Sequence, residues 1–188
     1  FPLHCIDFET TRTPIPFHKD LKPNEQLAYQ FSHHIIYEDW RIEHKNQYLH
    51  TTPGEFPNFE FAKSLMKALG NDQGTIFRYS HHENSVLNDI IRQLQAFQPE
   101  GYDELCAFLE SITKTGKEGS ENHRKGDRSM IDLCEIVKKA YYHPRMGGSN
   151  SIKVVTPSIL SDSKLLQKKY EKPIYGKNLE IPSLNFEN

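Results

Sequence analysis

Cys5-Ile6-Asp7-Phe8-Glu9-Thr10-Thr11 is the stretch around which the chain is organised. Leu3, Cys5, Ile6 and Phe8 form an apolar run of strand length, closed by Thr10, Thr11 and Pro14. Alternate side chains of a strand share a face, so Asp7 and Glu9 point the same way. Two such carboxylates raise each other's pKa, a cost that a divalent cation with a preference for oxygen removes. Magnesium or manganese is the expected guest. The alternative is a strand whose last two charges simply reach solvent.

The chain has 188 residues, of which 36% are hydrophobic, enough for one sizeable core, and a single domain over 1–188 is expected. Twenty-three basic and 25 acidic residues give a net charge of -2, so any nucleic-acid contact must be local. Cys5, Cys106 and Cys134 are widely spaced and lack a C-x-x-C pair, which argues against a disulfide framework or a structural zinc and fits a reducing cytoplasm. No apolar run reaches membrane-spanning length, and no membrane partner is expected. The chain starts directly with a strand and ends at Leu184-Asn185-Phe186-Glu187-Asn188 without a closing element. It is therefore expected to be part of a longer protein whose other domains are partners.

Outward from the first strand, 12–26 has the composition of a loop. Leu27–Tyr37 and Arg41–His50 read as a β-hairpin. Phe59, Ala62, Leu65, Met66 and Leu69 fall at helical spacing, with Asn58 as N-cap and Gly70 as stop. Thr75–Tyr79 is a strand, and Val86, Leu87, Ile90, Ile91, Leu94 and Phe97 make a helical stripe. Tyr102–Thr113 is a further helix and 114–128 a solvated loop. Ser129–Leu133 is a last strand running into the helix of Ile136, Val137 and Ala140. A glycine-rich turn then leads to a short helix over Ser151–Leu160. His33 and His34 are adjacent on a strand, face opposite sides and cannot share a metal.

Three antiparallel strands followed by βα units imply a mixed sheet with helices on both faces, a ribonuclease H-like plan in which the Asp7 strand lies between the hairpin and the strand at 75–79. Ligands of such sheets gather outside the carboxyl ends of the strands, where Asp7 and Glu9 stand.

Ile6-Asp7-Phe8-Glu9-Thr10-Thr11 resembles the first motif of the DEDD-type 3′ to 5′ exonuclease superfamily, with identical Asp-x-Glu spacing. In the slot of its second motif stands Ile76-Phe77-Arg78-Tyr79-Ser80-His81-His82-Glu83, with Glu83 for the Asp, Ser80 for the Asn and His82 for the Phe. Tyr142-His143-Pro144, Gly147-Gly148-Ser149-Asn150-Ser151-Ile152-Lys153 and Pro157 are similar to an uncharacterised bacterial branch of that superfamily, a domain of unknown function in which the second motif carries a Glu.

The resemblance implies hydrolysis of phosphodiester bonds in DNA or RNA from a 3′ end, with two Mg²⁺ or Mn²⁺ ions about 4 Å apart. Asp7 would bridge both ions, Glu9 and Glu83 would complete one shell each, and Asp132 either joins the cluster or caps the following helix, the favoured expectation. Thr10, Ser80 and His82 are candidate nucleic-acid contacts. Lys153, in the first turn of a helix, is a candidate phosphate ligand. For histidines 81, 82 and 123 a surface or locally bonded role is the simpler expectation. The lysines at 164, 168, 169, 172 and 177 form either a backbone-contacting patch or a solvated face. The third motif of the superfamily, an Asp with a preceding His or Tyr, is not found. The alternative reading is therefore a catalytically degenerate nucleic-acid-binding or scaffolding domain of a larger bacterial nuclease.

Overall fold

A computed structural model describes residues 1–174 and 178–182. Compact units divide between Asp132 and Leu133. The first contains β1 (Leu3–Arg12), β2 (Gln26–Ile36), β3 (Ile42–Leu49), α1 (Asn58–Leu69), β4 (Thr75–Arg78), α2 (His82–Phe97), α3 (Tyr102–Ile112), β5 (Lys114–Thr115), β6 (Arg124–Lys125) and β7 (Ile131–Asp132). The second contains α4 (Leu133–Ala140), a 3₁₀ turn (Pro144–Met146), α5 (Ile152–Asp162) and α6 (Lys164–Tyr170).

The main sheet has the order β3-β2-β1-β4-β7, so β1 is central, between hairpin and β4 as expected. It runs antiparallel to β2 and parallel to β4, and β4 runs parallel to β7, which makes the architecture a mixed-sheet α/β one. Ile6 and Phe8 of β1, Phe31 of β2 and Ile76 of β4 pack with Phe61, Leu65, Val86, Leu87, Ile90, Leu105 and Leu109 of α1–α3 in one core. The alternation then puts Asp7 and Glu9 on the other face of β1, where both are exposed.

Asn58 is not the expected N-cap. Pro57 holds that position without a side-chain bond, and Asn58 is completely buried. Its task is at a bulge: β1 and β2 shift register between Glu9 and Thr10, with Glu9 opposite Gln30 but Thr10 opposite Ala28. Asn58 Oδ1 accepts from Ala28 N–H at 2.7 Å, and its Nδ2 donates to Gln26 O at 2.9 Å and to Gln93 Oε1 at 2.5 Å. The amide replaces ladder bonds that the bulge interrupts, which outweighs any capping gain because an unpaired buried backbone group costs about 1–3 kcal/mol.

The stretch 114–128, read as loop, holds the short β5–β6 pair, and the lysine-bearing tail winds into α6. Lys177 and Leu184–Asn188 lie outside the described residues. The three cysteines form no disulfide among the described residues. Among the described residues no helix is long and apolar enough to cross a membrane.

His4 alternates with Ile6 and Phe8 and is fully buried, as is His33 opposite Ile6. Asp72 Oδ1 accepts from His4 Nε2 at 2.8 Å, His4 Nδ1 lies 2.9 Å from His33 Nε2, and Asn46 Nδ2 lies 3.3 Å from His33 Nδ1. A carboxylate only accepts and an amide NH₂ only donates, so one neutral tautomer satisfies the row, with both rings protonated at Nε2. Arg128 Nη2, 3.2 Å from Asp72 Oδ1, closes the other end, and its Nε donates to Gly74 O at 2.8 Å. A Cβ at Gly74 would stand 2.7 Å from His4 Nε2 and 2.2 Å from Pro2 O, so only glycine lets this row close.

Burial, then the neighbouring His4, His34 and His44, push the His33 pKa down to about 4, with Asp72 pulling the other way. An unfolded histidine titrates near 6.5. Between these values the unfolded chain binds a proton that the folded one refuses. The contribution of His33 is thus complete above pH 6.5 and is lost as pH falls toward 4. Urea denaturation at several pH values is expected to show the parent losing on the order of 2–3 kcal/mol more than His33→Asn across that window. Parallel curves for the two proteins would contradict this.

Candidate metal-binding carboxylate site

Strand β1 pairs with β4 only through Leu3, His4 and Cys5, but with β2 as far as Arg12. Past Cys5 its β4-side edge is therefore open. β4 ends at Arg78, and the chain turns through Ser80 in the left-handed region (φ +72°) into α2. A non-glycine residue held there costs about 1–2 kcal/mol and needs support from its surroundings. Asp132 supplies it: its Oδ1 accepts from Ser80 N–H at 2.8 Å, and its Oδ2 lies 3.0 Å from Arg78 Nη1. Thr10 Oγ1, 3.2 Å from His82 Nε2, ties the end of β1 to the start of α2. Thr10, Thr11, Arg12, His82 and Ser85 border the resulting cleft, about 440 Å³ in volume.

Glu83, in the first turn of α2, is 4% exposed, and its Oε2 has no hydrogen-bond partner. Burial raises its pKa to about 7; its own backbone N–H opposes this, Asp7 raises it further, Arg78 lowers it and Asp132 raises it. The structure thus brings Asp7 and Asp132 within electrostatic reach of Glu83. Glu9 stands two residues along β1 on the face of Asp7, in solvent. Arg78 is equally buried, and its Nε also lacks a hydrogen-bond partner. Among the described residues no three side chains of His, Cys, Asp and Glu stand ready-made as a metal centre.

The donor set suits a hard cation: carboxylates only, one of them with a buried, unsatisfied oxygen. Asp7, Glu9 and Glu83 are the carboxylates expected to hold it, of which Asp7 and Glu83 are within electrostatic reach of each other. Both oxygens of Asp132 are taken by the turn and by Arg78, which makes it a clamp for the β4–α2 turn at the residue before α4.

Of the proposed nucleic-acid contacts, Thr10 and His82 bond each other, and Ser80 Oγ lies 3.2 Å from His81 Nδ1. Lys153 is in the first turn of α5, in the second unit. In that unit His143 Nε2 lies 3.0 Å from Asp162 Oδ2 at the end of α5, where local sequence suggests only a turn or cap for Asp162. His33 bonds His4 and His34 stacks on His44, in keeping with their opposite faces. Arg78 was missed, although the period of two from Ile76 puts its side chain inside.

Two outcomes are expected. The Glu83 carboxyl holds a proton in the folded protein up to about pH 7 and in the unfolded chain only to about 4.5. Its contribution to stability is therefore present at low pH and lost as pH rises from 4.5 to 7. At pH 8 without metal, Glu83→Gln should melt higher than the parent, by on the order of 2 kcal/mol; equal or lower stability would mean that Glu83 is not a strained carboxylate. Asp132→Ala leaves a buried guanidinium unpaired and should cost about 3 kcal/mol or more by urea denaturation. A loss within ~1 kcal/mol, the worth of a surface pair, would contradict the clamp.

Comparison with curated proteins and with solved structures returned no match. A family profile described as a domain of unknown function (DUF2779) matches residues 4–151, well over half of the chain and inclusive of Asp7, Glu9, Arg78, Glu83 and Asp132. The chain belongs to the DUF2779 family.

Proposed function

We propose that the first unit is a metal-dependent 3′ to 5′ exonuclease domain of ribonuclease H-like plan, hydrolysing phosphodiester bonds of DNA or RNA with Mg²⁺ or Mn²⁺. The observation that carries this reading is Glu83: a buried carboxylate with an unpartnered oxygen, beside Asp7, at the open end of the central strand. The order β3-β2-β1-β4-β7 is compatible with that plan. Divalent cations held by Asp7, Glu9 and Glu83 would activate a water and stabilise the leaving 3′ oxygen.

The chain's own groups prepare the site. One guanidinium, Arg78, acts on Glu83 and pairs with Asp132, while Asp7 adds a negative charge near Glu83, so the carboxylates outnumber the cation. Glu83 is close to half protonated at neutral pH and would have to give up that proton to hold a cation. Asp132 and the Thr10–His82 bond fix the relative position of β1 and α2, and the positions of the carboxylates with it.

The engagement of Asp132 with Arg78 favours a second reading, a nucleic-acid-binding or scaffolding domain without a complete cluster. Manganese separates the two. Binding to the folded state alone raises stability by RT ln(1 + [L]/Kd), roughly 2.7 kcal/mol at a hundredfold excess over Kd. The parent should gain this in thermal melts and should shorten a 5′-labelled oligonucleotide from its 3′ end. Asp7→Asn should be at least as stable without metal, gain little from manganese and cleave nothing. An equal manganese response in Asp7→Asn, or a marked metal-free loss of stability, would overturn the assignment.

A further inference from the structure

Cys5 of β1 stands directly opposite His34 of β2, and His34 directly opposite His44 of β3. Ile6 and His33 point to the buried side, so Cys5 and His34 lie on the other face of the sheet. His44 joins them only because β3 is irregular there. The β2–β3 register shifts between His33 and His34: His33 pairs with Asn46 but His34 with His44, so Lys45 is an extra residue. Asn46 bonds the buried His33, and strict alternation would turn His44 to that same inner side. The bulge reverses it, and the rings of His34 and His44 stack with centroids 4.7 Å apart and planes 19° from parallel. A row of thiol, imidazole and imidazole thus crosses three adjacent strands on one face.

The histidines of the two faces differ in their bonding. His4 and His33 spend both ring nitrogens on protein partners, whereas among the described residues His34 and His44 spend none. His44 is exposed, and His34 and Cys5 are half-buried. Burial, then the neighbouring His44, lowers the His34 pKa, which keeps that ring neutral and its lone pair available near pH 7.

We infer that Cys5, His34 and His44 form a second metal site, for a borderline transition-metal ion such as Zn²⁺ and not for the hard cations proposed for Asp7 and Glu83. Thiolate and imidazole donors select zinc over magnesium. Among the described residues the three donors do not converge as they stand, since stacked rings present faces and not nitrogens to each other. Residues directly opposite on antiparallel strands have Cβ atoms about 4.5–5.5 Å apart, and an exposed imidazole changes rotamer readily, so both rings can turn an edge to one ion. Burial pushes the Cys5 thiol up, and binding replaces the S–H proton by the ion, the proton passing to solvent. Three protein ligands leave the fourth tetrahedral position to water. The ion clips β1, β2 and β3 together two residues before Asp7. Its donors come from three strands, which is why a sequence without a C-x-x-C pair still supplies them. The site stands independently of the proposed nuclease function.

The test is zinc and cobalt binding by the full chain, with its thiols reduced and magnesium in excess to fill the carboxylates. The parent should take up a single Zn²⁺ in competition with a chromophoric chelator, and its Co²⁺ complex should show thiolate-to-cobalt charge transfer in the near ultraviolet. His44→Ala should weaken zinc binding by more than the roughly 10–100-fold that loss of an outer-shell partner costs, since a ligand itself is gone. His44 is exposed, so without metal this variant should melt like the parent. Cys5→Ser should lose the charge-transfer band. Glu83→Gln should bind zinc like the parent, which separates this site from the one proposed for magnesium or manganese. No zinc uptake, an affinity unchanged in His44→Ala, or a cobalt complex without the thiolate band would overturn the inference.

Discussion

Strand β1 is paired for its whole length on one edge and for three residues on the other. That asymmetry organises the first unit. The long antiparallel edge fixes which side chains of β1 face the helices, and the short parallel edge brings the β4–α2 crossover to the rim. Where β4 stops, the backbone of β1 continues past it, and a strand otherwise central and covered exposes its last residues to a cleft. A longer β4 would have given a more regular sheet and closed that cleft.

The charge arrangement at the rim follows from this geometry. A parallel strand that ends early needs a tight turn into its helix, and the turn needs a fixed acceptor for the Ser80 N–H, which is Asp132. Asp132 in turn pairs with Arg78, the cation that the period of β4 has buried. Structural needs thus occupy one carboxylate, which pairs with one end of one guanidinium. What is left, Glu83 and Asp7, is negative and only partly neutralised. The deficit is a by-product of folding.

Much of this was legible in the sequence because it depends on period. Alternation in Leu3–Phe8 gave the strand, its inner face and the shared side of Asp7 and Glu9, and helical spacing gave α1–α3 close to their ends. The position of Glu83 in the first turn of α2 followed from its place after a strand. The remainder depends on partners distant in sequence. Asn58 is a good cap by composition, but a bulge 30 residues earlier claims its amide. Arg78 and His4 are inward positions whose charge or polarity is met by Asp132 and Asp72, which no local pattern connects to them. The β5–β6 pair is too short to leave a periodic trace. His44 shares a face with His34 only through the extra residue Lys45, where a strict period of two puts it on the other side.

The buried amide of Asn58 also bears on which strand register the folded state accepts. Its bonds to Ala28 N–H, Gln26 O and Gln93 are all satisfied only when β2 has its bulge in the observed place and α2 has arrived. A hairpin formed two residues out of step keeps the inside-outside pattern of its side chains, so hydrophobic burial alone discriminates poorly against it. Docking α1 on such a hairpin would seal unpaired polar groups in the core. The amide of Asn58 thereby distinguishes strand alignments that hydrophobic burial does not: only the observed register satisfies all of its bonds.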